Sequence, residues 1–142
     1  MRAWIRHLVW CLVCDDATAT SIVGWDSKKL DHETLARLDQ RSARNALSHL
    51  FELVATGLRR PLSFFPESSF AYARSMHAEH DPMRALEKAQ TAWYGAEHDR
   101  GMPESADPYF SLAMRNWVVP LDTEFVELAL CVMNPVLESL QA

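Results

Sequence analysis

The sequence predicts a predominantly helical α+β fold with one β-hairpin, and three observations lead to that prediction. Apolar side chains recur at helical spacing through most of the chain, whereas one short stretch is rich in β-branched residues. Four glycines beside seven prolines leave little material for the tight turns of a β-sandwich or barrel. The 142 residues match the usual length of one domain, so we expect residues 1–142 to form a single domain.

The first elements in the chain are a helix and then the hairpin. Helical spacing of the apolar residues from Trp4 to Leu12 predicts the helix. Thr18–Asp26 is rich in β-branched residues and is predicted to be a strand, and Glu33–Leu38 is predicted to be a weaker second strand. Because two strands alone are not stable in water, this hairpin must pack on helices or extend a larger sheet.

The middle of the chain combines a clear helix with an apolar loop. Gln40–Thr56 repeats apolar residues at helical spacing, and Val54 is predicted to lie on the buried side. Gly57–Ser69 contains two prolines, which disfavour regular structure, and Ser68 or Ser69 is expected to cap the next helix. The loop carries the large apolar side chains Leu62, Phe64 and Phe65, which we expect to be buried. A loop with so much apolar surface must be held against a core or against a partner.

Prolines mark the remaining helices. Asp81-Pro82 and Asp107-Pro108 each place a favoured N-cap residue before a proline at the first helical position, so each pair predicts the start of a helix. Met83 is predicted to face inward on the first of these helices. Apolar residues from Phe125 to Leu140 keep one helical phase with Pro135 inside it, which predicts a kinked helix or two abutting helices.

The charge of the chain is unevenly distributed. The net charge of −5 argues against bulk attraction to DNA or to an acidic membrane surface. Nine basic and seven acidic residues lie before Pro61, whereas five basic and twelve acidic residues lie from Pro61 onward. Any phosphate contact is therefore expected in the first part, whereas the acidic second part suits solvent or a basic protein partner. An ordinary solvated face is the favoured interpretation of Arg37, Arg41 and Arg44, and a phosphate-binding row is the alternative. The candidate DNA-contacting residues are Lys28, Lys29, Arg37, Arg41, Arg44, Arg59 and Arg60.

The cysteines and the amino-terminal apolar run resemble a signal peptide, a redox motif and a metal site, and their context argues against all three. Three cysteines, an odd number, do not make a disulfide framework, so we expect a reducing, cytoplasmic environment. The apolar run is short for a signal peptide and far too short to span a bilayer, and no membrane association is expected. Trp10-Cys11-Leu12-Val13-Cys14 matches a thioredoxin-like string, but that chemistry needs its first cysteine at a helix amino end. Because the pair falls late in the predicted helix, we favour buried structural cysteine over a redox or metal site.

Asp26-Ser27-Lys28 is the one local string with catalytic character. Metal-dependent nucleases of the PD-(D/E)XK type place a carboxylate, one further residue and a lysine at a strand end, where the carboxylate holds Mg²⁺. Only Asp15 and Asp16 precede the strand as a second acidic ligand, and they follow a helix. Asp26 and Lys28 are therefore secondary candidates for catalysis, and a pair of turn residues is the alternative. No glycine-rich phosphate-binding motif occurs, and we expect no metal or other cofactor in this chain itself.

The order of several motifs resembles the carboxy-terminal region of the RecC family. These proteins are the gamma subunits of exodeoxyribonuclease V, the RecBCD helicase–nuclease. The pattern begins with Arg2-Ala-Trp-Ile-Arg-His-Leu and continues with Gly57-Leu-Arg-Arg-Pro-Leu-Ser-Phe-Phe-Pro-Glu-Ser-Ser. It then shows Arg100-Gly, Asp107-Pro-Tyr and the closing apolar helix. The sequence is far shorter than a whole gamma subunit, so the resemblance covers one region of such a protein.

The resemblance implies part of an inactivated PD-(D/E)XK nuclease-like domain that scaffolds a complex and helps guide DNA strands. That complex repairs double-strand breaks by homologous recombination. Its RecB-like and RecD-like subunits would be the partners, would carry the hydrolase chemistry, and would bind the Mg²⁺ and ATP. Leu62, Phe64 and Phe65 are the candidate contacts to them. The alternatives are a residual magnesium-dependent nuclease using Asp26 and Lys28, and a thiol-redox or metal protein; an exposed sheet edge would also allow self-association.

Overall fold

The computed structural model describes residues 1–26, 29–95, 102–116 and 119–141. Its elements in chain order are α1 (Arg2–Val13), β1 (Thr20–Asp26), β2 (Lys29–Leu35), α2 (Gln40–Gly57), α3 (Pro66–Glu79), α4 (Pro82–Tyr94), a 3₁₀ turn (Glu104–Ala106), α5 (Pro108–Ala113), α6 (Thr123–Ser139) and β3 (Leu140–Gln141). The prediction of a predominantly helical α+β fold with one hairpin is confirmed. In the ranges that the structure describes, no helix combines the length and the apolar character needed to cross a membrane.

The chain divides into two compact units. The first comprises Met1–Ala55 and Pro135–Ala142, and the second comprises Thr56–Asn134. The buried apolar residues form two clusters, one within each unit, where the sequence suggested one core. The assignment of the full length to a single domain stays a prediction.

The first unit contains an antiparallel sheet with the strand order β1-β2-β3. The hairpin pairs Thr20 with Leu35 at its open end and Asp26 with Lys29 at its tip. The second strand begins four residues earlier than predicted, because strand pairing depends on main-chain hydrogen bonds and continues through polar residues that lack an apolar pattern. The short strand β3, which the sequence did not predict, pairs Leu140 with Leu35.

A buried histidine fastens α1 to this sheet. The His7 side chain is 1% exposed, and its Nδ1 lies 2.8 Å from Thr20 Oγ1. Its Nε2 donates to the Ala36 carbonyl over 2.9 Å, so the ring bonds one residue in β1 and one directly after β2. The apolar cluster around this connection consists of Trp4, Leu8, Cys11, Ala17, Leu35, Ala43 and Leu47. The hairpin therefore packs on α1 and α2, which agrees with the prediction that two strands would not be stable by themselves.

The second unit is built around aromatic side chains. Phe65 is completely buried, with its ring centroid 4.1 Å from that of Trp93 and 5.4 Å from that of Phe110. Phe125 and Tyr72 complete the aromatic group. Such rings remove a large apolar area from water and prefer the tilted and edge-on arrangements found here. The apolar loop is therefore held by this chain's own core.

Four helices begin on an aspartate, and two of these caps were predicted. Asp81 Oδ1 accepts from Met83 N over 3.0 Å, and Asp107 Oδ1 accepts from Tyr109 N over 2.8 Å. The Asp-Pro predictions are confirmed, and Asp39 and Asp122 cap α2 and α6 in the same way. The prediction for Met83 is wrong, since its side chain is 70% exposed. The buried side of α4 is formed by Ala85, Ala89 and Trp93, whose spacing fits the helix better.

The cap of α3 comes from a distant part of the chain. Glu104 is buried, and its carboxylate accepts from Glu67 N over 2.9 Å and from Ser68 N over 2.8 Å. It also accepts from Ser68 Oγ over 2.6 Å. The prediction of Ser68 or Ser69 as the N-cap is wrong, because Phe65 is the N-cap residue and both serines lie inside the helix. An internal carboxylate occupies the amino end of this helix, where the dipole favours negative charge.

The helix α6 runs through Pro135 as one element, so the alternative of two abutting helices is wrong, and the kink at this proline stays a prediction. The prediction for Val54 in α2 is wrong, since this side chain is 59% exposed.

The Glu104 contacts predict a specific loss of stability. Glu104→Ala leaves three donors at a buried helix end without an acceptor, and we expect the free energy of unfolding to fall by about 1–3 kcal/mol. Glu104→Gln keeps one acceptor oxygen and should be less damaging. Urea denaturation measures both variants against Glu67→Ala, which removes an exposed carboxylate from the same helix end. An effect of Glu104→Ala no larger than that of Glu67→Ala would contradict this account.

An ion pair joins the apolar loop to α6. Arg60 Nη2 donates to Glu124 Oε1, and the Glu124 side chain is about one quarter exposed. This hydrogen bond lowers the pKa of the Glu124 carboxyl below its ordinary value of 4.5, and burial opposes it only in part. Folding therefore favours the ionised carboxylate, which is stabilising above pH 4.5.

The lowered pKa predicts how stability depends on pH. The Glu124→Gln variant should be less stable than the natural chain above pH 4.5, by less than about 1 kcal/mol because the pair is partly exposed. The difference should disappear as the pH falls through the lowered pKa of the folded state. Thermal unfolding from pH 2.5 to pH 7 measures it, with the exposed Glu127→Gln as the control. A difference that grows toward low pH would refute the assignment.

Candidate interaction surface

The arginines near the start of α2 are the basic group that the structure leaves most open to a ligand. Arg41 and Arg44 are exposed and lie three residues apart, on neighbouring turns of one helix face. Among the described residues, neither forms an ion pair. Arg37 is also exposed, but its Nη2 donates to the Asp15 carbonyl over 2.7 Å, which fixes its position.

A groove lies in the same part of the first unit. It has a volume of about 540 Å³ and includes Arg37 and the polar residues Ser42, Asn45, His49 and Glu138. Trp4 and Pro135 supply apolar parts of the lining. The groove mixes one positive and one negative side chain with hydrogen-bonding groups, so it is not a specialised anion site.

The other predicted DNA-contacting residues lie in different local environments. Arg59 is exposed just after α2, and Arg60 is engaged by Glu124. Lys29 begins β2, and Lys28 lies outside the described residues. Arg59 and Arg60 belong to the second unit, whereas Lys29, Arg37, Arg41 and Arg44 belong to the first, so a common DNA site for these candidates stays a prediction.

The structure describes only part of the candidate nuclease site. Asp26 ends β1, as the PD-(D/E)XK comparison expects, but Lys28 is not described. The carboxylate of Asp15 accepts a hydrogen bond from Gln40 Nε2 over 2.9 Å. Across the described ranges, no three His, Cys, Asp or Glu side chains are grouped to hold a metal. The nuclease activity and the nuclease-like fold stay predictions.

An exposed apolar face of α1 is the functional feature that sequence reasoning missed. Ile5, Val9 and Val13 follow one another at four-residue spacing and are 43%, 44% and 67% exposed. Trp10 lies beside them and is 47% exposed. The basic residues on this side of the helix are Arg2 and Arg6. The sequence did contain a signal for this face. The helix is apolar on almost every side, whereas one apolar side is enough to pack against a core. We define this α1 face by Arg2, Ile5, Arg6, Val9, Trp10 and Val13.

The predicted partner contacts in the apolar loop differ in how deeply they are buried. Phe65 is not an interface residue, because it is completely buried among the aromatic side chains of its own unit. Leu62 and Phe64 are half-buried, and their contact with a partner stays a prediction.

The thiols lie at separate depths. Cys11 is 1% exposed and lies near the carboxyl end of α1, which confirms the interpretation of a buried structural cysteine. Its Sγ lies 3.6 Å from His7 Nε2. Cys14 is half-buried. Cys131 is exposed as a residue, although partial burial of its thiol group raises the pKa of that group. The environment of Cys11 lacks the exposure that a redox-active thiolate needs.

The depth of Cys11 predicts its reactivity. We expect Cys14 and Cys131 to react with a thiol reagent in the native protein, and Cys11 to react only after denaturation. Thiol titration before and after addition of guanidinium, followed by peptide mapping, measures this order. Rapid native modification of Cys11, or its ready oxidation to a disulfide with Cys14, would support the redox hypothesis instead.

Comparison with known proteins gives one family assignment. A family model of the RecC C-terminal domain matches residues 1–77, which include α1, the hairpin, α2 and most of α3. A comparison with curated proteins finds no match. The matched segment contains the Gly57–Ser69 motif and ends before the Arg100-Gly and Asp107-Pro-Tyr motifs. Because it covers more than half of the chain, the chain belongs to the RecC C-terminal domain family, which implies membership of the RecBCD complex of DNA repair.

Proposed function

We propose that this chain is a non-catalytic scaffold domain of a RecBCD-type helicase–nuclease. In this proposal the α1 face holds another protein subunit of the complex, and the arginines of α2 contact DNA. The observation that carries the proposal is the exposed apolar stripe on α1, in a chain whose family works within a complex.

The side chains of the α1 face are suited to a protein partner. When a partner covers large apolar side chains that are exposed on a folded unit, binding is favoured by roughly 25 cal/mol for each Å² removed from water. Trp10 is a tryptophan, one of the residue types that most often dominate the binding energy of protein interfaces. Arg2 and Arg6 would favour acidic side chains around the partner's apolar contact. We therefore expect an apolar surface with an acidic rim on the RecB-like or RecD-like subunit.

The arginines of α2 are suited to phosphate contacts without sequence recognition. Arg41 and Arg44 present two guanidinium groups on successive turns, and an arginine donates to a phosphate through two hydrogen bonds. Two contacts of this kind give weak binding that falls steeply as salt increases. This supports a role in guiding a DNA strand that the rest of the complex holds.

The proposal predicts that one exposed residue controls assembly. Val9→Glu places a charge in the middle of the apolar stripe, and we expect it to reduce capture by the partner subunit at least tenfold because a buried charge without a partner is costly. Since Val9 is partly exposed, the fold should remain intact. The measurement is co-purification with separately tagged RecB-like and RecD-like subunits, with circular dichroism to check folding.

Val23→Glu is the matched control, because Val23 is an exposed valine on β1 of the same unit. It should leave capture unchanged. Equal capture of both variants at the natural level would refute the role of the α1 face, and failure of the natural chain to bind either subunit would refute the scaffold proposal.

A further inference from the structure

A groove between α3 and α4 combines features that point to a ligand. The two helices pack on each other within the second unit. Their groove has a volume of about 400 Å³, and the residues that line it include Phe70, Arg74, Ser75, Glu79 and Lys88. We name it the α3–α4 groove. None of these residues belongs to the surfaces assigned above.

The first feature is a buried hydroxyl group without a partner. Ser75 is 7% exposed, and its Oγ has no hydrogen-bond partner in the part of the chain that the structure describes. A serine in a helix commonly donates to the carbonyl four residues earlier, and this one does not. A buried polar atom without a partner destabilises a fold. Because Ser75 lines the groove, a small rotation of its side chain would let the hydroxyl donate to an acceptor bound there.

The second feature is the charge beside this hydroxyl. Arg74 and Lys88 are exposed, and in the described ranges neither forms an ion pair. Glu79 also lines the groove, but its carboxylate accepts from Arg84 Nη1 over 2.9 Å. Two unpaired cations and a hydroxyl donor together match the oxygens of a phosphate group.

The third feature is an aromatic ring. The guanidinium carbon of Arg74 lies 6.0 Å from the centroid of the half-buried Phe70 ring. Aromatic rings beside cations are typical of grooves that bind single-stranded nucleic acid, because bases stack on the rings while cations follow the phosphates. An open groove of this kind suits a strand that passes along it better than a small anion that must be enclosed.

The geometry points to a binding site for a phosphate group of single-stranded DNA in the α3–α4 groove, with Arg74 and Lys88 as the cations and Ser75 Oγ as the hydrogen-bond donor. This inference rests on the proposed DNA-guiding function and extends it to the second unit, whose acidic sequence suggested solvent or a basic protein partner.

The test is a fluorescence anisotropy titration of a labelled ten-residue oligothymidylate with the full 142-residue chain at several salt concentrations. Arg74→Gln should weaken binding and reduce the slope of log affinity against log salt by about 0.7. Arg115→Gln removes another exposed arginine of the same unit, outside the groove, and serves as the matched control.

Ser75→Ala separates binding from stability. Because the hydroxyl has no internal partner, this variant should keep or raise the melting temperature while it lowers DNA affinity about tenfold. A purely structural serine would give a lower melting temperature with unchanged affinity, which would overturn the inference. Equal effects of Arg74→Gln and Arg115→Gln would also overturn it.

Nuclear magnetic resonance identifies the ligand class. Oligothymidylate should shift the backbone amide signals from Arg74 to Ala78, and inorganic phosphate at the same phosphate concentration should shift them much less. Shifts with inorganic phosphate alone would overturn the assignment to DNA. Loss of DNA binding in Arg41→Gln with Arg44→Gln, but not in Arg74→Gln, would overturn the inference while leaving the proposed function intact.

Discussion

Carboxylates at helix amino ends are the interaction on which this structure most depends. Among the described helices, five start on an acidic side chain: Asp39, Asp81, Asp107 and Asp122 from the adjoining residue, and Glu104 from a separate segment. Each satisfies backbone donors that the helix cannot pair internally. The Glu104 contact has the greatest reach, because it connects the start of α3 to the 3₁₀ turn and lies beneath the surface.

This use of acidic residues bears on what the chain can do. A carboxylate that accepts backbone hydrogen bonds at a helix end already uses part of its capacity as an acceptor, and in the described ranges no three His, Cys, Asp or Glu side chains are grouped to hold a metal. Asp15 is likewise engaged by Gln40. The open features are of another kind: an apolar stripe on α1, free arginines on α2 and the α3–α4 groove. These features are the basis of the proposed role in holding proteins and DNA in place.

Sequence reasoning predicted the features that are governed by local chemistry. The Asp-Pro pairs located two helix starts, because both the cap and the proline act within one turn. It failed where a distant contact decides the outcome: no local pattern connects Glu104 to the start of α3, or Leu140 to β2. The α1 face was not predicted, because an apolar pattern around the whole helix does not tell which side packs on the core and which stays exposed. The family motif at Gly57–Ser69, by contrast, identified the RecC region correctly, although Phe65 fills this chain's own core.

The proposed function requires that this chain binds DNA and does not cleave it. The most direct test is incubation of the purified chain with single-stranded DNA and either Mg²⁺ or Mn²⁺, in parallel with the Asp26→Ala variant. The account predicts no cleavage above background and no difference between the two proteins. Metal-dependent cleavage that is present in the natural chain and lost in Asp26→Ala would contradict it.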